Sequence, residues 1–447
     1  MKRQIYLYTF VAALGGLLFG FDTAVINGAL PFFTEYFGLT EALKGWAVSS
    51  ALFGCIIGAI VIGRPGDYFG RLKMLRLMAL FFLISAIGSG MASNLASFVI
   101  FRFIGGLAIG GASVLSPMYI SEIAPPMYRG RFTVTFQLAI VIGILVAFFS
   151  DYLLLDTGIN NWRWMFMAGA IPAAVFLILL FFVAESPRWL VKVGRIEEAK
   201  KTIGAVNSDN DVEETISEIR QSLNTEIINR GIYLFRKPYL HLVFIGIMIG
   251  MFNQFTGINI VMYYATDIFR SAGFSTNSAI GQTVLIGITN LIFTLVGMQL
   301  IDRIGRKSLL LGGSLGMSVF LGIFAISFFI GNVGGFILLF ALIGFIAFFA
   351  ASQGAVIWVL LSEMFPNNIR SRGSSIGSFS HWFFNGLLSF LFPVISGAFH
   401  NGAGTGYIFC FYALATLLSF VYFRKYLVET KWKSLEALEK VVIEQPK

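Results

Sequence analysis

Asp67-Tyr68-Phe69-Gly70-Arg71-Leu72-Lys73 follows one apolar run of the chain, and Asp302-Arg303-Ile304-Gly305-Arg306-Lys307 follows another, 235 positions later. Each reads D-x-x-G-R with a lysine close behind. A second pair accompanies them: Ser121-Glu122, six residues, Arg129, and Ser362-Glu363, six residues, Arg370, the glutamates 241 positions apart. Offsets this similar make the two halves a tandem repeat in one orientation, the arrangement of two helical bundles about an axis normal to a membrane. Carboxylates and arginines at helix ends can bridge neighbouring helices, and making or breaking those bridges sets which face is open. Ordinary interfacial anchoring accounts for any one of these charges but poorly for the duplicated spacing. Asp67, Gly70, Arg71, Glu122 and Arg129, with Asp302, Gly305, Arg306, Glu363 and Arg370, are therefore candidate cytoplasmic gating residues.

The composition between these motifs supports a membrane protein. Of 447 residues, 57% are hydrophobic and 12% charged, with mean hydropathy +0.80. Soluble domains carry about 25% charged residues, so a soluble enzyme is excluded. Apolar runs of helical length fall at 6–30, 46–66, 75–93, 97–120, 131–153 and 164–184, then at 239–264, 280–301, 308–330, 334–361, 372–398 and 406–426. Alternation with period two is absent, which removes a barrel. The expected fold is an all-α polytopic membrane protein of twelve transmembrane helices in two six-helix bundles, residues 1–184 and 239–427, with a cytoplasmic helical linker at 185–238 and a tail at 428–447. In the linker, the stretches starting at Arg195 and Val212 read as short amphipathic helices. Cys55 and Cys410 both sit in apolar runs and provide neither a disulfide framework nor metal-ligand spacing.

The net charge of +9 records topology. With the N-terminus inside, 28 of the 32 Lys and Arg residues fall on the cytoplasmic side and only Lys44, Arg163 and Arg270 on the other. The positive-inside rule then puts both termini in the cytoplasm and removes nucleic acid as a partner. Lys2 and Arg3 precede a run too long for a signal peptide, and it leads into further spans.

Asp22 and Arg102 break this division, because each lies well inside a span. Burying an unpaired charge in a bilayer costs at least about 2.5 to 3.5 kcal/mol. A helical rise of about 1.5 Å per residue places Asp22 about 21 Å above the cytoplasmic end of span one. Arg102 lies about 7 to 8 Å below the outer end of span four, a similar height in a core of about 30 Å. The two are expected to meet. A proton switch follows, in which protonating Asp22 frees Arg102 and shifts the balance between outward-open and inward-open states; the alternative is a permanent structural ion pair.

These residues, together with Gly15-Gly-Leu-Leu-Phe-Gly-Phe-Asp22, Arg102-Phe-Ile-Gly-Gly, Leu115-Ser-Pro-Met-Tyr-Ile-Ser-Glu122, Glu185-Ser-Pro-Arg-Trp-Leu190, Asn253-Gln-Phe-Thr-Gly-Ile-Asn259 and Trp358-Val-Leu-Leu-Ser-Glu363, resemble the sugar porter family of the major facilitator superfamily over nearly the full length. Bacterial proton-coupled xylose symporters and animal glucose facilitators are the similar members, and an aspartate at the position of Asp22 marks the symporters among them. The chain departs from the family pattern at Leu72, in the tail, which reads Val428-Glu429-Thr430-Lys431-Trp432, and at Ala355, where a proline follows the glycine in the family.

A neutral sugar needs many hydrogen-bond partners and an apolar wall, which amides and indoles supply. Asn253, Gln254, Asn259, Asn290, Trp358, His381, Trp382 and Asn385 lie at middle depth in the second half. In an unbroken helix Gln254 and Asn259 would point about 140° apart, so Gly257 between them is read as a local break. The first half adds Gln137. The resemblance implies that Gln137, Gln254, Asn259, Asn290 and Trp358 contact sugar and that Tyr263 and Tyr264 close an extracellular gate. Membrane-belt anchoring is the alternative for Trp358 and Trp382, and interhelical hydrogen bonding for Asn290. His381 admits three readings: a neutral replacement for an amide, a pH-sensitive group, or packing.

Uptake of a monosaccharide by proton symport through alternating access is the leading expectation, with a passive sugar or polyol facilitator as its alternative and a membrane sugar sensor behind both. The expected partners are the monosaccharide, protons and the lipid bilayer, with no required protein partner and function as a monomer. No cofactor, metal or catalytic residue is expected, and no P-loop supports an ATP-driven pump. Short external loops without glycosylation acceptors favour a bacterial inner membrane.

Overall fold

The computed structural model describes residues 3–125, 128–206, 212–228, 235, 239–330, 335–365, 369–399, 403–429 and 431. The first half contains α1 (Arg3–Phe37), α2 (Glu41–Val61), α3 (Gly63–Phe69), α4 (Arg71–Met91), α5 (Leu95–Ile123), α6 (Arg129–Leu153), α7 (Asn161–Ala168) and α8 (Ala170–Leu179). Between the halves run α9 (Pro187–Lys192), α10 (Ile196–Val206) and α11 (Val212–Ile228). The second half contains α12 (Leu240–Gln254), α13 (Ile258–Ser271), α14 (Thr276–Ile304), α15 (Arg306–Ile330), α16 (Gly335–Ala351), α17 (Gln353–Glu363), α18 (Arg370–Gly397) and α19 (Ala403–Tyr426). Twelve of the resulting segments are long and apolar enough to cross a membrane, with α7 and α8, α12 and α13, and α16 and α17 each forming one crossing. The expected fold class is the observed one.

The boundaries differ where turn chemistry decides them. Span one runs to Phe37, beyond the 30 expected, and stops where Gly38 takes φ 59°. Gly38 N–H donates to Glu35 O and Leu39 N–H to Thr34 O, the two bonds of a Schellman cap. Span two accordingly starts at Glu41, and the stretch after it is the short helix α3 where a loop was expected. Span six ends at Leu179, short of 184.

One compact unit comprises Met1–Phe32 with Ser50–Gly231. Its helices approach closely through small residues: a Cβ on Gly54, Gly106 or Gly110 would overlap backbone atoms of the facing helix along the α2 and α5 seam. Such contacts let dispersion act where no hydrophobic drive separates helix from lipid. In the same unit, α9 to α11 bury a small core of Trp189, Leu190, Ala199, Ile203 and Ile216, as expected of amphipathic helices.

The other unit comprises Phe33–Ser49 with Ile232–Lys447. Ile249, Leu310, Leu360, Phe365 and Phe423 anchor its apolar core. Two of its crossings are interrupted. At the first, Gly257 adopts the left-handed conformation (φ 79°), and a Cβ there would overlap the Tyr412 ring. The second interruption is at Ser352 (φ −121°, ψ −90°), between α16 and α17. Left-handed backbone costs a non-glycine residue about 1 to 2 kcal/mol before any overlap. Gly257→Ala should therefore lower the melting temperature of the detergent-solubilised protein, whereas an unchanged melting curve would show that the break is not needed.

Candidate functional site

Asp22 and Arg102 meet, as their depths in the sequence predict. Arg102 Nη1 lies 2.9 Å from Asp22 Oδ1, and Nη2 donates to the Asp22 backbone carbonyl at 3.1 Å. Arg102 is 2% exposed, and its guanidinium carbon sits 5.4 Å from the centre of the Phe166 ring. The short Nη1 contact is ionic but lacks hydrogen-bond alignment, and Asp22 Oδ2 has no hydrogen-bond partner. That oxygen lies near the place a Cβ on Gly105 would occupy, where Ser85 Oγ also approaches. Leu18, Phe21, Asp22, Val25, Phe82, Ala86, Phe166 and Gly169 line a cavity of about 10 Å³ beside the carboxylate, at the threshold for one water. Asp22 thus has a free oxygen able to accept a proton while Arg102 keeps its bond to the main chain.

In the second unit, the break at Gly257 brings Asn259 back onto Gln254. Asn259 Nδ2 donates to Gln254 Oε1 at 2.8 Å, and Gln254 Nε2 donates to Asn253 Oδ1 at 3.0 Å and contacts His381 Nδ1 at 2.9 Å. Both N–H groups of the Gln254 amide are thereby engaged. The same Gln254 nitrogen lies 3.2 Å from His381 Nε2, so the Gln254 amide faces both ring nitrogens. His381 therefore stands where an amide-like partner for Gln254 would stand. His381 is flanked by the rings of Trp358 (4.9 Å, 56°) and Trp382 (5.5 Å, 86°). Trp358 is 37% exposed, whereas Trp382 is buried.

Asn385 Nδ2 donates to Tyr263 Oη at 3.1 Å, and Tyr264 Oη donates to the Ser389 carbonyl at 2.7 Å, so the two tyrosines are tied to α18. Asn290 is buried on α14. Gln137 lies half-buried on α6, in the other unit. Two groups escaped the sequence reading. Gln353 is fully buried at the start of α17, where its Oε1 accepts from Asn253 at 3.2 Å and its Nε2 has no partner. An amide well inside the apolar run 334–361 was the available signal. Asp151 is the other: Asp22 was the one acid read as lying well inside a span, yet Asp151 is completely buried near the end of α6.

The duplicated motifs form matching constructions. Arg71 Nε and Nη2 donate to Glu122 at 3.0 and 2.9 Å, and Nη1 donates to Asp67 Oδ1 at 2.9 Å. Glu185 accepts from the backbone N–H groups of Arg71 (3.2 Å) and Leu72 (3.1 Å) at the start of α4. Likewise, Arg306 Nη2 donates to Glu363 at 3.1 Å, and Glu429 accepts from the N–H groups of Arg306 (2.9 Å) and Lys307 (3.0 Å) at the start of α15. Each carboxylate caps a helix N-terminus. Gly70 and Gly305 precede those helices with φ near 100°, and a Cβ on either would crowd its glutamate. The side chains of Arg129, Asp302 and Arg370 lie outside the described residues. Burial acts to raise the Asp67 carboxyl, but the hydrogen bond from Lys192 and the charge of Arg71 outweigh it and hold the group below its ordinary value.

A family model described as "Sugar (and other) transporter" matches residues 8–442. The arabinose-proton symporter of Bacillus subtilis (strain 168) is 36% identical over 445 residues, covering 98% of this chain and 95% of that protein. The D-xylose-proton symporter of Escherichia coli (strain K12) is 37% identical over 477 residues, covering 98% and 96%. Among solved structures, the inward open conformation of the xylose transporter XylE from E. coli is similar with a TM-score of 0.87 and 35% identity, covering 98% of this chain and 99% of that one.

The lowered Asp67 carboxyl stabilises the fold above the ordinary aspartate value of about 3.9, and that stabilisation is lost as pH falls through its depressed value. Asp67→Asn should be less stable than the parent at neutral pH, and the difference should shrink to nothing in strong acid; a constant gap in melting temperature would contradict this. Glu122→Gln strips charge from a buried pair whose arginine is 4% exposed. Breaking such a pair costs about 3 to 5 kcal/mol, which a denaturation curve would register.

Proposed function

The chain belongs to the sugar (and other) transporter family of the major facilitator superfamily, and on that premise we infer that it is a secondary active transporter importing a monosaccharide with protons by alternating access. The relatives described above bear the names of arabinose and xylose symporters, and twelve apolar helices make the chain an integral multi-pass membrane protein. The observation that carries the proton-coupled reading is the buried pair of Asp22 and Arg102.

Two opposite charges about 4 Å apart attract by about 4 kcal/mol at an effective dielectric of 20. A proton on Asp22 Oδ2 removes that attraction and leaves Arg102 held by the Asp22 carbonyl and the Phe166 ring. Arg102 is then loosened but not released, so α1 and α5 can part at a lower cost while the acid is neutral. The proton gradient biases the equilibrium between two conformers by the differential affinity of those conformers for the proton.

Sugar recognition rests in this reading on Gln254, Asn259, Asn253, Asn290, Gln137 and His381, with Trp358 as the apolar wall. Gln254 is satisfied before any ligand arrives, so a sugar hydroxyl must exchange for one of its present partners. His381 gives that site an imidazole beside Gln254, and Trp382 and Asn385 back it from α18. Tyr263 and Tyr264 act as the extracellular gate, and the two Arg–Glu clusters with their glutamate caps act as the cytoplasmic gate. The distribution of Lys and Arg supports cytoplasmic termini, and the bacterial origin of the relatives supports an inner membrane; function as a monomer belongs to the same reading.

Uptake into proteoliposomes by a panel of pentoses and hexoses, with and without an imposed proton gradient, tests the assignment: gradient-driven accumulation of at least one sugar is expected, and gradient-independent uptake of all of them would overturn symport. Asp22→Asn should abolish uphill accumulation while sugar exchange persists; unchanged accumulation would remove Asp22 from coupling. Gln254→Ala should raise KM for the accepted sugar about tenfold, the equivalent of one well-made hydrogen bond.

A further inference from the structure

Asp151 is completely buried near the end of α6, and neither of its carboxylate oxygens has a hydrogen-bond partner. It lies at the end of a close seam between α6 and α1. On α1, Gly16 abuts Phe136, Gly20 abuts Ile140 and Ile144, and Gly28 abuts the Asp151 carboxylate, so that a methyl on Gly28 would overlap it. On α6, Gly143 abuts Leu17 and Phe21 in return. The Gly28 peptide is the polar group that approaches the acid, without the geometry of a hydrogen bond.

Among the described residues no charged group compensates it. On α1, Asp22 is turned to Arg102 and Glu35 is exposed two turns beyond Gly28. Arg102 on α5 is occupied by Asp22, and Arg163 on α7 donates to the carbonyls of Gly90 and Ala92. Asp156, beyond the end of α6, is exposed. A buried, unpaired carboxylate neutralises itself in preference to remaining charged. A metal cation would demand several oxygen ligands, and among the described residues no cluster of ligating side chains exists. The proton is the ligand that these surroundings fit.

We propose that Asp151 is a second proton-binding site, a neutral carboxylic acid sealed in the α1 and α6 seam and opening to the outer water when those helices part. The outward direction of that opening rests on the proposed cytoplasmic termini, whereas the bound proton does not. Gly28 lies six residues from Asp22, about 9 Å along α1, and Asp22 is turned to α5, so the two acids are separate sites read by different faces of one helix. Movement of α1 would govern both.

Infrared spectroscopy of the full-length protein in liposomes at neutral pH tests this, because a protonated carboxylic acid has a C=O stretch resolved from ionised carboxylates and from the amide backbone. We expect such a band in the parent and in Asp22→Asn, its complete loss in Asp151→Asn, and a frequency shift in Gly28→Ala. An identical band in Asp151→Asn would overturn the proposal. So would failure of that variant to fold, since asparagine is the neutral isostere of the acid and should replace it in place. The band does not depend on transport, so its presence and the outcome of the uptake panel are decided separately.

Discussion

A charge in hydrocarbon must be paired, hydrogen-bonded or neutralised, and this constraint organises the molecule. Each solution appears. Asp22 and Arg102 pair inside the apolar core. Arg71 is wrapped by Glu122, Asp67 and the Gly66 carbonyl. Asp151, whose oxygens have no hydrogen-bond partner among the described residues, is left to neutralisation. A pair whose acid keeps an oxygen free is poised differently from one whose bonds are all made: Asp22 can take a proton without first losing a hydrogen bond, whereas Glu122 and Arg71 are locked by several. The pair proposed for coupling and the cluster proposed for gating thus use the same residue types with opposite degrees of saturation.

The same constraint acts on the backbone. Hydrocarbon tolerates helices because their N–H and C=O groups are satisfied internally, and it tolerates interruptions only where other groups take over. At Gly257 and at Ser352 the helix breaks, and beside those breaks lie Asn253, Gln254, Asn259 and Gln353, hydrogen-bonded to one another. The interruptions are thus where polar side chains converge, and the amide chain ending at His381 is the consequence. Glutamates at the starts of α4 and α15 solve the related problem of unsatisfied helix N-termini, in two halves of the sequence by one device.

Much of the architecture was legible because period and charge are local properties. Twelve apolar runs, the repeat at 67 and 302, and the isolation of Asp22 and Arg102 need only hydropathy, spacing and rise per residue. Span ends were misjudged where a Schellman turn at Gly38 outweighed the hydropathy profile, since apolar residues do not reveal a left-handed glycine. Glu429 caps α15 although the tail around it departs from the family pattern, because capping needs only a carboxylate at the helix start.

By itself the sequence determined the membrane environment, the number of helices, the repeat and the identity of the two central charges, all consequences of how many residues cross a bilayer and what a lone charge costs there. Tertiary structure alone decided which groups are saturated. It left Asp22 with a free oxygen, joined His381 to Gln254, brought the unread Gln353 onto Asn253, and buried Asp151 against Gly28. Burial and hydrogen-bond completion depend on which helix faces which, and residues far apart in the chain set that.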